Sequence, residues 1–405
     1  MMQPGVAITG MGIVSALGWS LAETWAALES ERSGLGPLTL FESPCCGHVA
    51  VGEVKGGPPP PEQVRRRSRN VQLAVHAARE ASGGAGLERL SAAEREDVGV
   101  VLGTCTGGIF ETETYLQRFL ADGRMDFDLL RDHPCAAAAE AVAGVLDVHG
   151  IRSTVSDACA SGAMAIAAAC DLLASSEARI VLAGGVDTLT RLTLNGFCSL
   201  LVVSPDGCRP FDAKRNGMSL GEGAAVLVLE LEETAQARGA KILARLRGCG
   251  ASCDAYHPTA PRPDGSGAAR AMRAALSAAG MRPEDVDYIN AHGSGTVDND
   301  IAEARAMTAV FGGAAPLVSS TKRFFGHTLA AAGAIEAVAC VLALQHQAAP
   351  ANLGLRAADP EIGFAPVPRT RKADLDVAMS NSLGFGGNNC SLVLSRPEGQ
   401  EGRGP

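Results

Sequence analysis

Apolar positions along the chain fall into short runs closed by glycine or polar turns, and these alternate with longer segments of alanine and other small residues. Residues 6–9 read as a buried strand entering a tight turn at Gly10-Met-Gly12, and residues 20–29 as a helix that turns Leu21, Trp25 and Leu28 to the core. A second strand over 98–102 ends in the loop Gly103-Thr-Cys-Thr-Gly-Gly108. A third over 151–155 delivers the polar turn Ser156-Asp-Ala-Cys-Ala-Ser-Gly162 to residues 163–173, which are small and apolar and read as one buried helix. Residues 179–185 form another strand. Strand, helix and strand in that order predict a parallel crossover. A loop over 206–223 then leads to a strand over 225–230 and a polar helix over 232–238.

After this the pattern begins again. Residues 242–247 read as a strand, 267–279 as a helix, and 286–291 as a strand ending in His292-Gly-Ser-Gly-Thr296. Residues 316–322 run into a loop carrying Gly326-His327, and 328–342 repeat the Ala-rich buried helix. The mirroring predicts two similar halves, each with a reactive loop at the start of a central helix. Close-packed central helices would bring Cys159 and His327 together. Strands over 376–381 and 389–394 complete the second half, joined by Ser382-Leu-Gly-Phe-Gly-Gly-Asn388, whose glycines permit positive φ and can aim a backbone N–H into a site. The expected division is an N-terminal half over 1–240, a C-terminal half over 241–396 and a loose polar tail over 397–405.

Cys159 falls where the polar turn gives way to the first Ala-rich helix. Unpaired N–H groups and the positive dipole end at a helix start favour a thiolate, and the same N–H groups can hold a developing oxyanion. The competing reading is a buried cysteine acting as a small hydrophobe. The local sequence leaves both open.

Composition narrows the classes. The 405 residues are 46% hydrophobic but only 4% aromatic, with 48 glycines, which describes a core of Ala, Val and Leu under closely packed helices. Twelve cysteines without framework spacing fit reduced thiols in a cytoplasmic protein. The formal charge of −9 argues against nucleic acid as a partner. The N-terminus lacks a basic signal region, and no uninterrupted apolar span reads as long enough for a membrane. A dinucleotide site at Gly10-Met-Gly12 is rejected because Ser15 stands where the third glycine belongs. Cys45-Cys-Gly-His48 lacks the second ligand pair that zinc needs. Arg65, Arg66, Arg67 and Arg69 open a helix after the stiff segment Gly56-Gly-Pro-Pro-Pro-Pro61, either as a solvated face or as a docking patch for an acidic carrier.

Five motifs in order identify what the chain resembles. They are Asp157-Ala-Cys-Ala-Ser-Gly162, Arg209-Pro-Phe-Asp212 with Gly221-Glu-Gly-Ala224, Asn290-Ala-His-Gly-Ser-Gly-Thr296, Ser320-Thr-Lys-Arg-Phe-Phe-Gly-His327 and Asn381-Ser-Leu-Gly-Phe-Gly-Gly387. From residue 6 to residue 394 the chain resembles the β-ketoacyl-acyl-carrier-protein synthases with a Cys-His-His site, the elongating condensing enzymes of type II fatty-acid and polyketide synthesis. The resemblance implies a thiolase-like five-layered αβαβα fold with two pseudo-symmetric halves, working as a homodimer or as a heterodimer with a homologous subunit, with an acyl carrier protein as partner.

It also implies roles. Cys159 would accept the acyl chain as a thioester, with its own N–H and that of Phe385 as oxyanion hole. His292 and His327 would hold the enolate oxygen left when malonyl-carrier protein loses CO2. Lys322 would support the site with Glu336 as its ion partner, since a buried lysine without a carboxylate is costly, and Asp300 counts beside Glu336 among the supporting residues. Ser294 and Thr296 match contacts to the pantetheine arm, Phe385 a gating side chain, and Arg65, Arg66, Arg67 and Arg69 a carrier-docking region. No metal or other cofactor is implied. Three departures bear on the substrate: Thr106 stands at an apolar acyl-pocket position, Met218 at a commonly aromatic one, and Arg323-Phe-Phe325 is bulky and basic.

The residues also weigh against the neighbouring activities. A thiolase would want a second catalytic cysteine near the last glycine loop, and Cys390 lies beyond it. An initiating synthase would pair its cysteine with one histidine and an asparagine. A silent chain-length partner subunit lacks the nucleophile. A cysteine hydrolase would leave Lys322, the second histidine and the repeated halves unexplained.

Overall fold

The computed structural model describes residues 5–44, 46, 48–312 and 316–397. The tail from 398 onward, the first four residues and Cys45 of the rejected zinc motif lie outside them. One continuous sheet contains ten strands, β1 (Val6–Ser15), β2 (Val98–Gly103), β3 (Arg152–Val155), β4 (Ile180–Asp187), β5 (Gly223–Leu231), β6 (Ala244–Cys253), β7 (Tyr288–Asn290), β8 (Leu317–Ser319), β9 (Val377–Gly384) and β10 (Asn388–Ser395). Their spatial order is β8-β7-β9-β10-β6-β1-β5-β4-β2-β3. Strands β1 to β5 and β6 to β10 therefore trace one path twice. In each, the second strand lies parallel between the third and fourth, and the remaining pairings are antiparallel. The repeats join where Val6, Ala7 and Ile8 pair with Leu246, Arg245 and Ala244.

The longer helices are α1 (Leu21–Glu29), α2 (Arg69–Ala85), α3 (Ile109–Asp122), α4 (Ala137–Leu146), α5 (Ser161–Ala174), α6 (Arg191–Ser199), α7 (Ser266–Ala279), α8 (Val297–Phe311) and α9 (Ala332–His346). Helices α2 and α4 cover the outside of one half-sheet, α7 backed by α8 covers the other, and α5 and α9 pack between them. This makes five layers. The strand period shows how the layers are filled: Ala225, Leu227 and Leu229 of β5 face the central helices, and Ala224, Val226 and Val228 pack beneath α2.

A helix apolar on every side belongs in a core. The segment Leu329–His346 has a mean hydropathy of 1.6 over 18 residues and meets the length and composition of a bilayer span, contrary to the sequence expectation, but it is 89% buried as the central layer. It meets α5 at two glycines. A Cβ on Gly162 would stand 2.7 Å from the Ala330 carbonyl oxygen, and one on Gly333 would stand 2.8 Å from the Ala163 Cβ.

Gly10 and Gly12 make no turn. Strand β1 continues through them to Ser15, because a Cβ at either position would run into the carbonyl oxygens of Ala81 or Ala77 on α2. Gly248 and Gly250 of β6 stand in the same relation to Ala275 and Ala271 of α7, which is why β6 outruns its expected end at 247. The expectation of reduced thiols also meets one exception. Cys46 and Cys198 form a disulfide pair, their Cα atoms 6.7 Å apart, where the segment after Phe41 docks on α6 through Ser43 Oγ and Asn195 Oδ1 at 2.8 Å. Cys105, Cys135, Cys159, Cys170, Cys208, Cys253, Cys340 and Cys390 are free thiols.

Gly12→Val should cost more than the ~1–3 kcal/mol typical of an overpacked core, since the obstacle is backbone. Gly144→Ala, on the exposed side of α4 with nothing within 4 Å of the added methyl, should stabilise by about 0.5–1 kcal/mol. Thermal unfolding followed by circular dichroism checks both, and similar behaviour of the two variants would remove the close-approach argument.

Candidate active site

The nucleophile turn is stapled before the helix begins. Ala158 adopts φ 50°, held by Ser161, whose Oγ accepts the Asp157 N–H at 2.7 Å and donates to the Ala158 carbonyl at 2.6 Å. Cys159 is thereby fixed just ahead of α5, buried. Asn388 Nδ2 donates to Asp157 Oδ1 at 2.9 Å and ties the turn to the glycine loop of the second half. Burial pushes the Cys159 thiol up to about 11, against the lowering influence of the Lys322 ammonium and of the Phe385 N–H, which reaches the sulfur. A thiolate at the helix start, expected from the sequence, is therefore outweighed by desolvation.

The histidines arrive from the second half. His292 follows β7, and its N–H and that of Gly293 donate to Glu303 Oε1 and Oε2, both at 2.8 Å. His327 follows the short helical turn Lys322–Phe325, its N–H donating to the Ser219 carbonyl at 2.6 Å. The two rings stand 5.2 Å apart at 79°. Burial first, and then the charge on Lys322, push both imidazoles well below their ordinary pKa, so both are neutral. Leu329 donates its N–H to His327 Nδ1 at 3.3 Å, and the Lys322 ammonium lies 3.4 Å from His292 Nδ1. A neutral ring that accepts at Nδ1 carries its proton on Nε2, so the hydrogen bonds assign both histidines as Nε2–H donors.

Lys322 anchors this arrangement. Its ammonium pairs with Glu336 Oε1 and donates to the His292 carbonyl at 2.9 Å, both side chains being buried. Burial raises the Glu336 carboxyl and the neighbouring ammonium opposes that rise. Asp300 supports the site through the backbone: its carboxylate accepts from the N–H groups of Phe211 at 2.8 Å and Gly295 at 3.1 Å, joining two of the sequence motifs.

Cys159, His292, His327, Ser294, Thr296, Met218 and Phe385 line one cleft of about 160 Å³. Ser294 and Thr296 share a hydrogen bond of 2.9 Å at its mouth, and the Phe385 ring stacks on Phe197 at 5.4 Å. Thr106 is placed elsewhere. Its N–H and hydroxyl both donate to Asp187 Oδ1 at 2.8 Å, so it is turned inward and does not line the cleft. The arginine patch also shrinks. Arg67 pairs with buried Asp132 at 2.7 Å and Arg69 grips buried Glu222, which leaves Arg65 and Arg66 on the surface.

Glu303, Asp187 and Phe197 escaped the sequence reading. Glu303 was findable: it follows Thr296 by seven residues, two turns along α8, and so points back at the His292 loop. Among the described residues, no cluster of three or more His, Cys, Asp or Glu side chains is arranged to hold a metal.

A two-half layered fold with a thiol, two neutral imidazole donors and a buried lysine at one cleft defines a class of acyl-transferring condensing enzymes. Family models agree: the β-ketoacyl synthase N-terminal domain matches residues 3–235 and the C-terminal domain residues 243–356. A relative named 3-oxoacyl-[acyl-carrier-protein] synthase 2 from Synechocystis sp. is 37% identical, covering 96% of this chain and 98% of its own. Nodulation protein E from Rhizobium meliloti is 39% identical over 98% of this chain and 100% of the relative. The solved ishigamide ketosynthase/chain length factor superposes with a TM-score of 0.92 at 36% identity, over 98% of this chain and 100% of that one. The chain belongs to the β-ketoacyl synthase family.

Iodoacetamide labelling of Cys159, read by peptide mass spectrometry, should accelerate about tenfold per pH unit from neutrality and keep rising beyond pH 9, because the thiol is held near 11. Lys322→Met withdraws the lowering charge and should slow labelling at every pH below that midpoint. A plateau near pH 8 in the wild type would mean that burial does not control the thiol.

Proposed function

We propose that this enzyme elongates acyl chains by decarboxylative condensation with malonyl-acyl-carrier protein. The observation that carries the reading is the pair of neutral imidazoles, each with Nε2–H free for the cleft beside the Cys159 thiol. The Cys159 sulfur attacks an acyl-carrier thioester, the pantetheine thiol leaves with a proton, and the chain is held on Cys159. Malonyl-carrier protein enters past Phe385, its pantetheine arm lying along Ser294 and Thr296. The bond to the carboxylate breaks, CO2 leaves, and its electron pair enters an enolate whose oxygen accepts from His292 and His327. Donors that are neutral beforehand suit this step, because charge arrives only in the transition state. The enolate carbon attacks the Cys159 thioester, the N–H groups of Cys159 and Phe385 take the tetrahedral oxyanion, and its collapse forms 3-oxoacyl-carrier protein and expels the Cys159 thiolate, which takes a proton from water to restore the thiol. Residues 1–240 would supply the nucleophile and 241–396 the enolate donors, and the work would be done in the cytoplasm on carrier-bound substrates.

Intact-mass spectrometry tests this directly. Mixed with acyl-carrier protein and then malonyl-carrier protein, the enzyme should show a Cys159 adduct followed by a carrier-bound chain longer by the malonyl-derived unit. Cys159→Ala should lose the adduct, and His292→Ala and His327→Ala should each keep the adduct and lose CO2 release. Release of CO2 undiminished in both histidine variants would sink the assignment. Arg65→Glu with Arg66→Glu should raise KM for carrier substrates and leave small thioester mimics unaffected.

A partner subunit is favoured by one surface. Helix α3 buries none of its residues, and Leu116, Phe119 and Leu120, with Met125 and Phe127 beyond its end, are exposed beside an open groove of about 720 Å³ between α3 and α6. Strand β3 is an outer edge of the sheet and its backbone is open to a further strand. The occupant would be a second copy of this chain or a homologous subunit. Sedimentation should give a dimer that Leu120→Asp with Phe127→Asp converts to monomer, and an unchanged dimer would place the interface elsewhere.

A further inference from the structure

Asp187 is the last residue of β4 and is wholly buried. Among the described residues no basic side chain pairs with it. Its charge is met by donors alone: Thr104 Oγ1 at 2.8 Å, the Cys105 N–H at 3.0 Å, and the Thr106 N–H and hydroxyl at 2.8 Å on Oδ1, and the Ala330 N–H at 2.9 Å on Oδ2. A carboxylate buried without a cation is costly to keep, and an apolar or amide side chain would fill the same space.

What it grips explains its presence. Ala330 follows Leu329, a non-glycine residue held at φ 52°, and the Leu329 N–H is the group that donates to His327 Nδ1. Left-handed backbone at a leucine persists only where its surroundings fix it. On the opposite side the Cys105 sulfur rests 3.5 Å from the carbonyl of Ala158, which is also left-handed, and 3.6 Å from Ser161 Oγ in the nucleophile turn. One carboxylate thus braces the turn of the histidine directly and that of the cysteine through Cys105.

We propose that Asp187 is a positioning residue for the condensation: it holds the Leu329–Ala330 turn so that the Leu329 N–H keeps the His327 proton on Nε2, facing the cleft. The inference rests on the enolate role given to His327 above. Its structural core, the tautomer, can be read without turnover.

Asp187→Asn keeps the size of the side chain but replaces one acceptor oxygen with a donor, so it can no longer accept from both sides. Removing an oxyanion donor outright costs about 10²–10³ in kcat; loosening one should lower kcat for CO2 release roughly tenfold to a hundredfold, with KM for malonyl-carrier protein changed less than about twofold. In protein labelled with 15N-histidine, the ring signals lost in His327→Gln should report one Nε2–H tautomer in wild type and a mixture in Asp187→Asn. A tautomer unchanged in Asp187→Asn overturns the proposal, whether or not kcat falls. A mixed tautomer with unchanged kcat overturns it too. Should wild type release no CO2, the condensing function fails and the NMR comparison still judges Asp187. If Asp187→Asn does not fold, Thr106→Val, which removes one donor from the same carboxylate, should shift both readouts in the same direction with smaller amplitude, and no shift there counts against the proposal.

Discussion

The crossing of α5 and α9 at Gly162 and Gly333 is the constraint on which the rest of the structure depends. Each central helix begins within five residues of a reactive residue, Cys159 for one and His327 for the other, and the two starts can share a cleft only if the helix backbones come closer than side chains allow. Alanine and glycine on the facing surfaces permit that approach, and the half-sheets then close over the pair from either side. The scarcity of aromatic residues follows from the same requirement. A core of thin side chains gains its stability from density of contact, since each residue removes little apolar area.

Into that dry centre the fold places one ammonium, and its effects differ with distance and partner. Beside Glu336 the Lys322 charge is compensated. Towards His292 and His327 it acts in the same direction as burial, and both imidazoles stay neutral. Towards Cys159 it opposes burial and loses, since the thiol ends near 11. The resting site is therefore a thiol with neutral donors. Negative charge develops there only as a substrate carbonyl or enolate brings it, and the preoriented N–H groups act on that charge without first reorganising.

Much of this was legible in the sequence. The repeated order of strand, reactive turn and Ala-rich helix announced two halves, and the five motifs located Cys159, His292, His327 and Lys322 together with Glu336, which does meet the lysine. What stayed hidden depends on contacts across long sequence separations. Arg67 and Arg69 look like a solvated run until Asp132 and Glu222 arrive from 65 and 153 residues away. Gly10 and Gly12 look like a turn because the helix that needs their missing side chains lies beyond residue 69. Thr106 looks like a pocket residue because nothing near it in sequence predicts the buried carboxylate of Asp187. Cys46 and Cys198 are separated by 152 residues, and no spacing rule links them. Helices α3, α4, α6 and α8 also went unread; α3 buries none of its residues and α6 only Leu194, so neither carries an inward apolar stripe.

The repeat gives the buried carboxylate a further meaning. Strands β4 and β9 are each eight residues long, occupy equivalent places in the two half-sheets, and end at Asp187 and Gly384. Both strand ends touch the segment that leads into the central helix belonging to the other half. Asp187 takes the N–H of Ala330, three residues past His327, while a Cβ on Gly384 would lie 3.2 Å from the N atoms of Cys159 and Ala160, and the next residue, Phe385, turns its N–H to the Cys159 sulfur. One architectural contact has been given opposite chemistry. Where the second half meets the nucleophile it offers a backbone donor for negative charge, and where the first half meets the histidine it offers an acceptor that fixes a turn. A condensing site needs one contact that stabilises an oxyanion and one that orients an imidazole, and Asp187 and Gly384 are where the two halves differ.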